Sequence, residues 1–467
     1  MSSNEEKQSY QSKKTSWINW FIPLLLILVA LAFLLYYPAS SPNQDATTPT
    51  TQSSSQESEF SAKGIANSLV STFFNGTDED KNEQIRALES TLVDLNEQHS
   101  SPSSTNAITS STASKALQTL RDSNLNQAIE TLIEAANQQT DPRNAAETWI
   151  NIGNIQNLTS APQALLAYQR ARELDPNNSN AWNRKGHIHR QLKQLEKAEI
   201  AYKKVQQLNT QSTENQAVSL VNFGLLNQSK GNYQAAEGAF LKSLKIYSEH
   251  DDDAGIASTS ENLASLYKHK NELKKAEAYY LKALQMHQKL AHTQQMASTH
   301  AALGALYQST KNIDKARQHY QYALDISLNN NLQGDIANLY SNLGIIAEQS
   351  NQPNKSKDYF EKSLLINQQI KRSAGTADQY SNLATLNRKQ QNYAAAEDFH
   401  KKAIQIHTQN KHKNGIISQQ INLGFLYKVW NKTDKACEIW KSSLALLQND
   451  QSKRTERVVE LIKTNCP

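Results

Sequence analysis

The sequence predicts an all-α protein in which helix-turn-helix units stack into a solenoid behind one N-terminal transmembrane helix. Residues 17–37 form a stretch of 21 residues without a charged side chain. A pattern of small and aromatic residues recurs every 40 residues through the C-terminal half. Only 38% of the 467 residues are apolar, and the mean hydropathy is −0.67. Such a lean composition suits thin stacked layers better than one large core.

Composition also argues against several classes of protein. Lys and Arg (49) barely outnumber Asp and Glu (44), and no basic stretch alternates with aromatic residues, which disfavours nucleic-acid binding. Two cysteines are too few for a disulfide framework or a four-thiolate zinc site. The sequence contains no Gly-rich phosphate loop, Gly-x-Ser-x-Gly or His-Glu-x-x-His motif. We therefore expect no enzymatic activity, no cofactor, no metal and no nucleic-acid partner.

The uncharged stretch 17–37 (WINWFIPLLLILVALAFLLYY) is long enough to span a membrane, since ~20 apolar residues cross a ~30 Å hydrocarbon layer. Aromatic residues mark both of its ends. Lysines precede it and none follows before Lys63, so the positive-inside rule places residues 1–16 in the cytoplasm as a short tail. The rest of this single-pass protein of the inner (plasma) membrane is then expected in the periplasm or outside the cell. A cleaved signal peptide is the alternative.

Two segments separate this span from the repeats. Residues 38–59 are rich in Ser, Thr, Gln and Pro, a composition typical of a flexible linker. Residues 60–114 are predicted to be a helical lead-in: apolar residues recur at helical spacing through 61–97, and a second Ser/Thr linker occupies 99–114. The lead-in helices can pack on the main domain or on a second copy of the chain.

Six units of 40 residues share one register. A small residue in the first half of each unit is followed sixteen positions later by an aromatic residue or histidine. The spacing puts these residues on helix faces, and the small residue lets two antiparallel helices approach closely. We predict that the aromatic ring fills the space between one hairpin and the next. The small residues are Gly224, Ala264, Gly304, Gly344, Ala384 and Gly424, and their partners are Phe240, Tyr280, Tyr320, Phe360, His400 and Trp440.

This pattern resembles the tetratricopeptide repeat. Two earlier units have the family's usual shorter length, and their marker residues are Trp149, Gly153 and Tyr168, then Trp182, Gly186 and Tyr202. Residues 115–139 look like a degenerate first hairpin. The 40-residue units are similar to those of kinesin light chain and spindle-orientation adaptors, and their extra residues are predicted to lengthen the second helix or the connection after it. The resemblance implies a right-handed superhelix of eight repeats over 142–445, closed by a capping helix within 446–467, in a bacterial membrane-anchored protein.

The resemblance also implies a binding groove. In this family the positions two before and four after the small residue face the concave surface. Here asparagine fills most of the first positions, and side-chain amides both donate and accept hydrogen bonds, while nearby Arg and Lys attract carboxylates. A structural role in local hydrogen bonds is the alternative for the asparagines. The predicted peptide-binding residues are Asn151, Arg184, Asn222, Asn262, Asn342, Asn382, Asn422, Arg190, Lys268, Arg388 and Lys428.

Three further residues are candidates for chemistry. Cys437 lies on the second helix of the last repeat and Cys466 lies just beyond the predicted cap, so a disulfide in an oxidising compartment would pin the cap; two free thiols are the alternative. His187 stands two residues before another histidine on one helix, and because such neighbours point to different faces we expect no metal there.

Together these features predict a non-enzymatic, membrane-anchored scaffold that binds a protein or extended peptide in the concave groove. Two alternatives stay open at this point. One is a structural envelope protein that forms homo-oligomers, with the groove empty or filled by the chain's own tether. The other is a chaperone-like holder of translocating polypeptides.

Overall fold

The computed structural model describes residues 62–74, 78–100, 110–208, 213–447 and 453–466, and within these ranges the chain forms helices and short connections without a strand. The chain divides into two units, 1–58 and 59–467, and every described residue belongs to the second. The predicted tail, transmembrane helix and first linker therefore lie outside the described residues. Among the helices of the described ranges, none combines the length and apolar character needed to cross a bilayer.

Two helices precede an array of antiparallel hairpins. The first two are α1 (Ala62–Phe73) and α2 (Asp78–Ser100). The hairpins are α3 (Ser110–Arg121) with α4 (Leu125–Gln138), α5 (Pro142–Gln156) with α6 (Ala161–Leu174), α7 (Ser179–Gln191) with α8 (Leu195–Leu208), α9 (Thr213–Ser229) with α10 (Tyr233–Glu249), α11 (Asp253–His269) with α12 (Leu273–Lys289), α13 (Thr293–Ser309) with α14 (Ile313–Asn329), α15 (Gln333–Gln349) with α16 (Pro353–Gln369), α17 (Ser373–Lys389) with α18 (Tyr393–Gln409), and α19 (Lys413–Val429) with α20 (Thr433–Leu446); α21 (Lys453–Asn465) follows them.

Helix α3 begins earlier than the sequence suggested. It starts at Ser110, inside the stretch predicted to be a Ser/Thr linker. The small side chains of Ala113 and Ala116 are fully buried against the neighbouring helices, together with Leu117 and Leu120. Tertiary packing therefore extends the helix into a segment whose composition alone favours a loop.

The extra residues of the 40-residue units lengthen both helices of each hairpin. Helices α7 and α8 have 13 and 14 residues, whereas α9 and α10 have 17 each. We predicted that all the extra residues would lie in the second helix or in the connection after it. That prediction was wrong, because the first helix is longer as well. Both helices stay matched in length, so each can cover the apolar seam of its partner from end to end.

The small residue and the aromatic ring of each repeat pack inside one hairpin. A Cβ atom added to Gly224 would lie 2.4 Å from the Phe240 ring, and one added to Gly344 would lie 2.5 Å from the Phe360 ring. Both rings are buried. The ring thus lies directly on the glycine of its own hairpin, which corrects the expectation that it fills the space between hairpins.

Each connection in the long units turns at a residue with left-handed backbone geometry. Such residues recur every 20 positions, from Gly231 (φ 79°) through Ala291 (φ 51°) to Asn431 (φ 57°). The next amide then returns to the preceding helix, as when Glu272 N donates to Tyr267 O at 2.8 Å. This closure satisfies carbonyls at the helix end. Turns within hairpins and between hairpins therefore have the same geometry.

A disulfide joins the last repeat to the C-terminal helix. Cys437 on α20 is bonded to Cys466, which follows α21, and the two Cα atoms are 5.6 Å apart. Val458 of α21 is fully buried against Ile417 and Ile421 of α19. Helix α21 therefore covers the apolar seam that the final hairpin would otherwise expose.

Candidate binding groove

Helices α1 and α2 form a hairpin that lies on the face predicted to be the groove. We call residues 62–100 the inserted hairpin. Helix α2 lies along α5 and meets α7, and helix α1 lies against α15, the first helix of a repeat far along the chain. Part of the groove is therefore filled by polypeptide from the same chain.

Close polar contacts join the start of α2 to three residues of α7, which we call the basic trio: Arg184, His187 and Arg190. Arg184 Nη1 lies 2.8 Å from Glu83 Oε1, and Arg190 Nη2 lies 2.5 Å from Asp80 Oδ1. His187 Nε2 lies 3.2 Å from the same oxygen of Glu83. Because the trio is spaced by three residues, its side chains share one face of α7.

Burial and charge act against each other in this cluster. Burial alone would raise the pKa of Glu83, but His187, Arg86 and Arg184 hold that pKa well below its ordinary value. Burial lowers the pKa of His187 from 6.5 to about 4, although the carboxylate of Glu83 opposes the change. At neutral pH, Glu83 is therefore an anion facing a cationic arginine and an uncharged imidazole.

A buried network of amides and hydroxyls joins α2 to α5. Thr91 Oγ1 lies 3.0 Å from Asn151 Oδ1, and Asn154 Nδ2 donates to the Ala87 carbonyl at 3.1 Å. The Tyr168 hydroxyl donates to Asn154 Oδ1 at 2.8 Å. Each of these polar groups replaces bonds to water that burial removes. Asn151, predicted to bind a ligand, thus binds the chain's own helix.

The other predicted asparagines occupy varied surroundings. Asn222 Nδ2 donates to Asn183 Oδ1 at 2.7 Å, and Asn382 Nδ2 donates to Ser341 Oγ at 3.3 Å. Both bonds link the first helices of neighbouring repeats, which matches the structural alternative for these two positions. The remaining predicted residues are Asn262, which is buried; Asn342, Lys268 and Arg388, which are partly exposed; and Asn422 and Lys428, which are exposed.

Two concave regions adjoin these residues. A cavity of about 200 Å³ between α13 and α15 is lined by alanines and Leu339 on one side and by polar side chains, among them Asp335, Asn338 and Asn342, on the other. A larger opening of about 1290 Å³ lies beside the inserted hairpin, where Phe73, Asp80 and Arg190 contribute to its lining. The first is large enough for one apolar side chain, and the second gives solvent access to an ion pair of the basic trio.

The sequence did not predict five residues that form contacts between α2 and the groove: Asp80, Glu83, Gln84, Thr91 and Asn154. The available signal was charge: acidic residues cluster at the start of a helix, and two arginines lie six residues apart on α7. The acidic residues are Asp78, Glu79, Asp80 and Glu83. No local sequence pattern indicates that the start of α2 contacts α7, because the two segments lie about 100 positions apart. Within the described part of the chain, no group of three His, Cys, Asp or Glu side chains is arranged to hold a metal ion.

The array is similar to known repeat proteins. The model of the family described as tetratricopeptide repeat matches residues 178–249, 255–329 and 335–409. No curated protein matches the sequence. Among solved structures, a signal-transduction ATPase with numerous domains from Pyrococcus horikoshii, whose sensor consists of tetratricopeptide repeats, has 15% identity over 86% of this chain and 69% of that chain, with a TM-score of 0.55.

Two smaller structures share more identity over less of the chain. BtubC from P. vanneervenii has 22% identity, covers 55% of this chain and 94% of its own, and has a TM-score of 0.38. The pilF protein of Pseudomonas aeruginosa has 22% identity, covers 53% of this chain and 99% of its own, and has a TM-score of 0.37. Of the three likenesses, the one to the ATPase supports an all-α repeat solenoid.

Proposed function

The chain belongs to the tetratricopeptide repeat family, and on that premise we propose that it is a non-enzymatic, membrane-anchored scaffold that binds a protein or extended peptide in its groove. The observation that carries the proposal is that the groove already holds polypeptide. The basic trio binds carboxylates of α2, and Asn151 and Asn154 bond to its side chains and backbone. The same chemical groups can hold a foreign chain.

The open part of the groove offers a ligand further contacts. Between α13 and α19, the cavity at Ala302, the partly exposed Asn342 and the exposed Asn422 lie at the predicted ligand-facing positions. A ligand side chain anchored in the cavity, with hydrogen bonds from the side-chain amides beside it, would fix an extended segment on this face. Stacked hairpins hold these groups in place before binding, so less ordering opposes association.

Site-specific photo-crosslinking in the source cells tests the groove. A photoreactive amino acid at Asn342 or Asn422 probes it, and one at Leu365, which is 56% exposed on α16, is the matched control on a second helix. We expect a discrete protein adduct from both groove positions and none from Leu365. Equal adducts from all three positions would remove the groove as the binding surface.

The membrane anchor of this proposal rests on the uncharged stretch 17–37 and the lysines before it. An anchor restrains the groove near the bilayer and raises its effective concentration for membrane-associated partners. Ser9→Cys and Ser53→Cys bracket the span and form a matched pair for labelling with a membrane-impermeant maleimide. We expect labelling at position 53 alone in cells whose inner membrane is intact. Labelling of both positions, or release of the protein by alkaline extraction, contradicts the anchor.

A further inference from the structure

We propose that the basic trio and the adjoining face of α5 form a recognition site for an acidic amphipathic helix, that α2 occupies this site as an internal ligand, and that an external protein partner binds there by replacing α2. The inference rests on the proposed function and adds the chemistry of the ligand to it.

The occupant defines what the site recognises. Asp80, Gln84, Ala87 and Thr91 are spaced by four, three and four residues, so they share one face of α2, with Glu83 beside it. Asp80 and Glu83 supply carboxylates three residues apart to the trio, while Gln84 Nε2 donates to the Asn154 carbonyl at 2.5 Å. A ligand helix therefore needs two carboxylates one turn apart, an amide next to them and a small residue one turn further on.

The site requires an anion from some source. Arg190 is 7% exposed and its charge pairs with Asp80, and a buried cation left without a partner is strongly destabilising. A buried ion pair as a whole, by contrast, contributes little net stability. Exchange of one carboxylate helix for another therefore costs much less than emptying the site.

The attachment of α2 permits such an exchange. The apolar cluster that holds α2 contains residues of α1 and α3 to α6 but none of α7, so the contacts of α2 with α7 are polar. The inserted hairpin belongs to no repeat, so its departure separates no repeat hairpin. A partner helix must cover the apolar side chains of α3 to α6 on which Leu88 and Leu92 of α2 pack. The opening of about 1290 Å³ reaches Asp80 and Arg190 and gives a partner access to the ion pair where exchange begins.

A synthetic peptide of residues 78–100 with a fluorescent label tests the proposal on the full-length protein in detergent. In the wild-type protein the internal α2 competes with it. In the variant Asp80→Lys with Glu83→Lys, the internal helix is repelled by the trio. We expect the peptide to bind this variant at least tenfold more tightly than wild type in fluorescence anisotropy, because about 1.4 kcal/mol of lost competition corresponds to tenfold.

Two controls make the result specific. A peptide carrying Asp80→Asn and Glu83→Gln should lose at least tenfold in affinity for the variant. Adding Arg184→Glu and Arg190→Glu to the lysine variant restores charge complementarity inside the chain and should abolish binding of the wild-type peptide. Circular dichroism shows whether each variant is folded, and the uncharged full-length variant Asp80→Asn with Glu83→Gln replaces the lysine variant if that one is not.

Equal binding to wild type and variant, or no binding to a folded variant, overturns the proposal and makes α2 a permanent part of the fold. Dimers of the wild-type protein that exchange labelled inserted hairpins would assign the site to a second copy and overturn the external partner. Asn422 lies on α19, whereas the inserted hairpin packs on α3, α5, α7 and α15, so crosslinking at Asn422 separates failure of this inference from failure of the proposed function.

Discussion

The first repeats and the later repeats have the same hairpin core, but the groove face is covered in the first repeats and exposed to solvent in the later ones. In α5 and α7 the predicted binding residues are covered: Asn151 is 3% exposed, and Arg190 pairs with Asp80. In α19 the corresponding residues, Asn422 and Lys428, are exposed to solvent. One register therefore places the same residue types in a buried polar network at one end and on an open surface at the other.

The difference teaches that a repeat signature specifies the hairpin and leaves the groove face undetermined. Gly153 faces Tyr168 just as Gly344 faces Phe360, with a hypothetical Cβ 2.5 Å from the ring in each case. The inserted hairpin covers the groove face of the first repeats, and in the later repeats it reaches α15 through α1. Its removal or weakening should therefore act most strongly on the first repeats, and the following changes are given in order of expected size.

Removing the carboxylate of Glu83 should produce the largest effect. Glu83→Ala leaves the largely buried Arg184 without its anion and His187 without a hydrogen-bond acceptor, and we expect the free energy of unfolding to fall by about 3 kcal/mol. Asp358→Ala, which breaks an exposed pair with Lys362 at 2.8 Å in the later repeats, should cost less than about 0.5 kcal/mol. Urea unfolding measures both. Similar losses from the two variants would show that Glu83 does not neutralise a buried charge.

Glycine substitutions should reveal the shared core. Gly344→Ala forces a methyl group into the Phe360 ring and should destabilise the protein by about 2 kcal/mol, and Gly153→Ala should do the same against Tyr168. Gly238, on α10, has open space around its Cα. Gly238→Ala should therefore stabilise by about 0.5–1 kcal/mol through helix propensity. Thermal or urea unfolding distinguishes these signs, and unequal losses at Gly153 and Gly344 would contradict a common core.

Acid should weaken the first repeats through His187. Folding lowers the pKa of this residue from 6.5 to about 4, so between these pH values the unfolded chain binds a proton that the folded chain does not. Stability therefore falls as the pH drops through this window. Wild type should lose about 2 kcal/mol more between pH 7 and pH 4.5 than His187→Gln. Urea unfolding at both pH values measures the difference, and parallel losses in the two proteins would refute the assignment.

The smallest effect concerns the turns, which both regions share. Ala291 holds a left-handed φ of 51°, where a Cβ atom is strained, so Ala291→Gly should stabilise by about 0.5–1 kcal/mol. The reverse change at Gly231 (φ 79°), Gly231→Ala, should destabilise by a similar amount. Denaturation midpoints read out both variants. A loss of stability in Ala291→Gly would show that another constraint holds that turn.

The sequence predicts the hairpins well because their determinants are local. Offsets of three, four and sixteen residues place Gly224 and Phe240 on facing helices, and the structure has them in contact. The position of the ring within its own hairpin was not predicted. The spacing shows on which face of the helix the ring lies, but it does not show which neighbouring helix packs on that face. The start of α3 at Ser110 was missed for a related reason, since packing overrides the composition of a Ser/Thr stretch.

The groove was predicted only in outline. The register identifies Arg184 and Arg190 as groove residues, yet their partners Asp80 and Glu83 lie about 100 positions earlier in a segment with no repeat signature. Helical periodicity in that segment predicts that α1 and α2 form. It carries no information on which surface they cover, because that surface depends on apolar packing and charge complementarity between distant parts of the chain.

The contact between α1 and α15 changes the mechanics of the array. In a stack of repeats, each unit contacts only its neighbours, so distant units are not directly coupled and can move or unfold separately. Here α1 packs on α2 and α15, and α2 contacts α5 and α7. The inserted hairpin therefore connects the first repeats directly to a later one. Moving these repeats apart must break the contacts of the inserted hairpin with α7 or α15. Loss of the inserted hairpin should therefore let the repeats between α5 and α15 change curvature more easily.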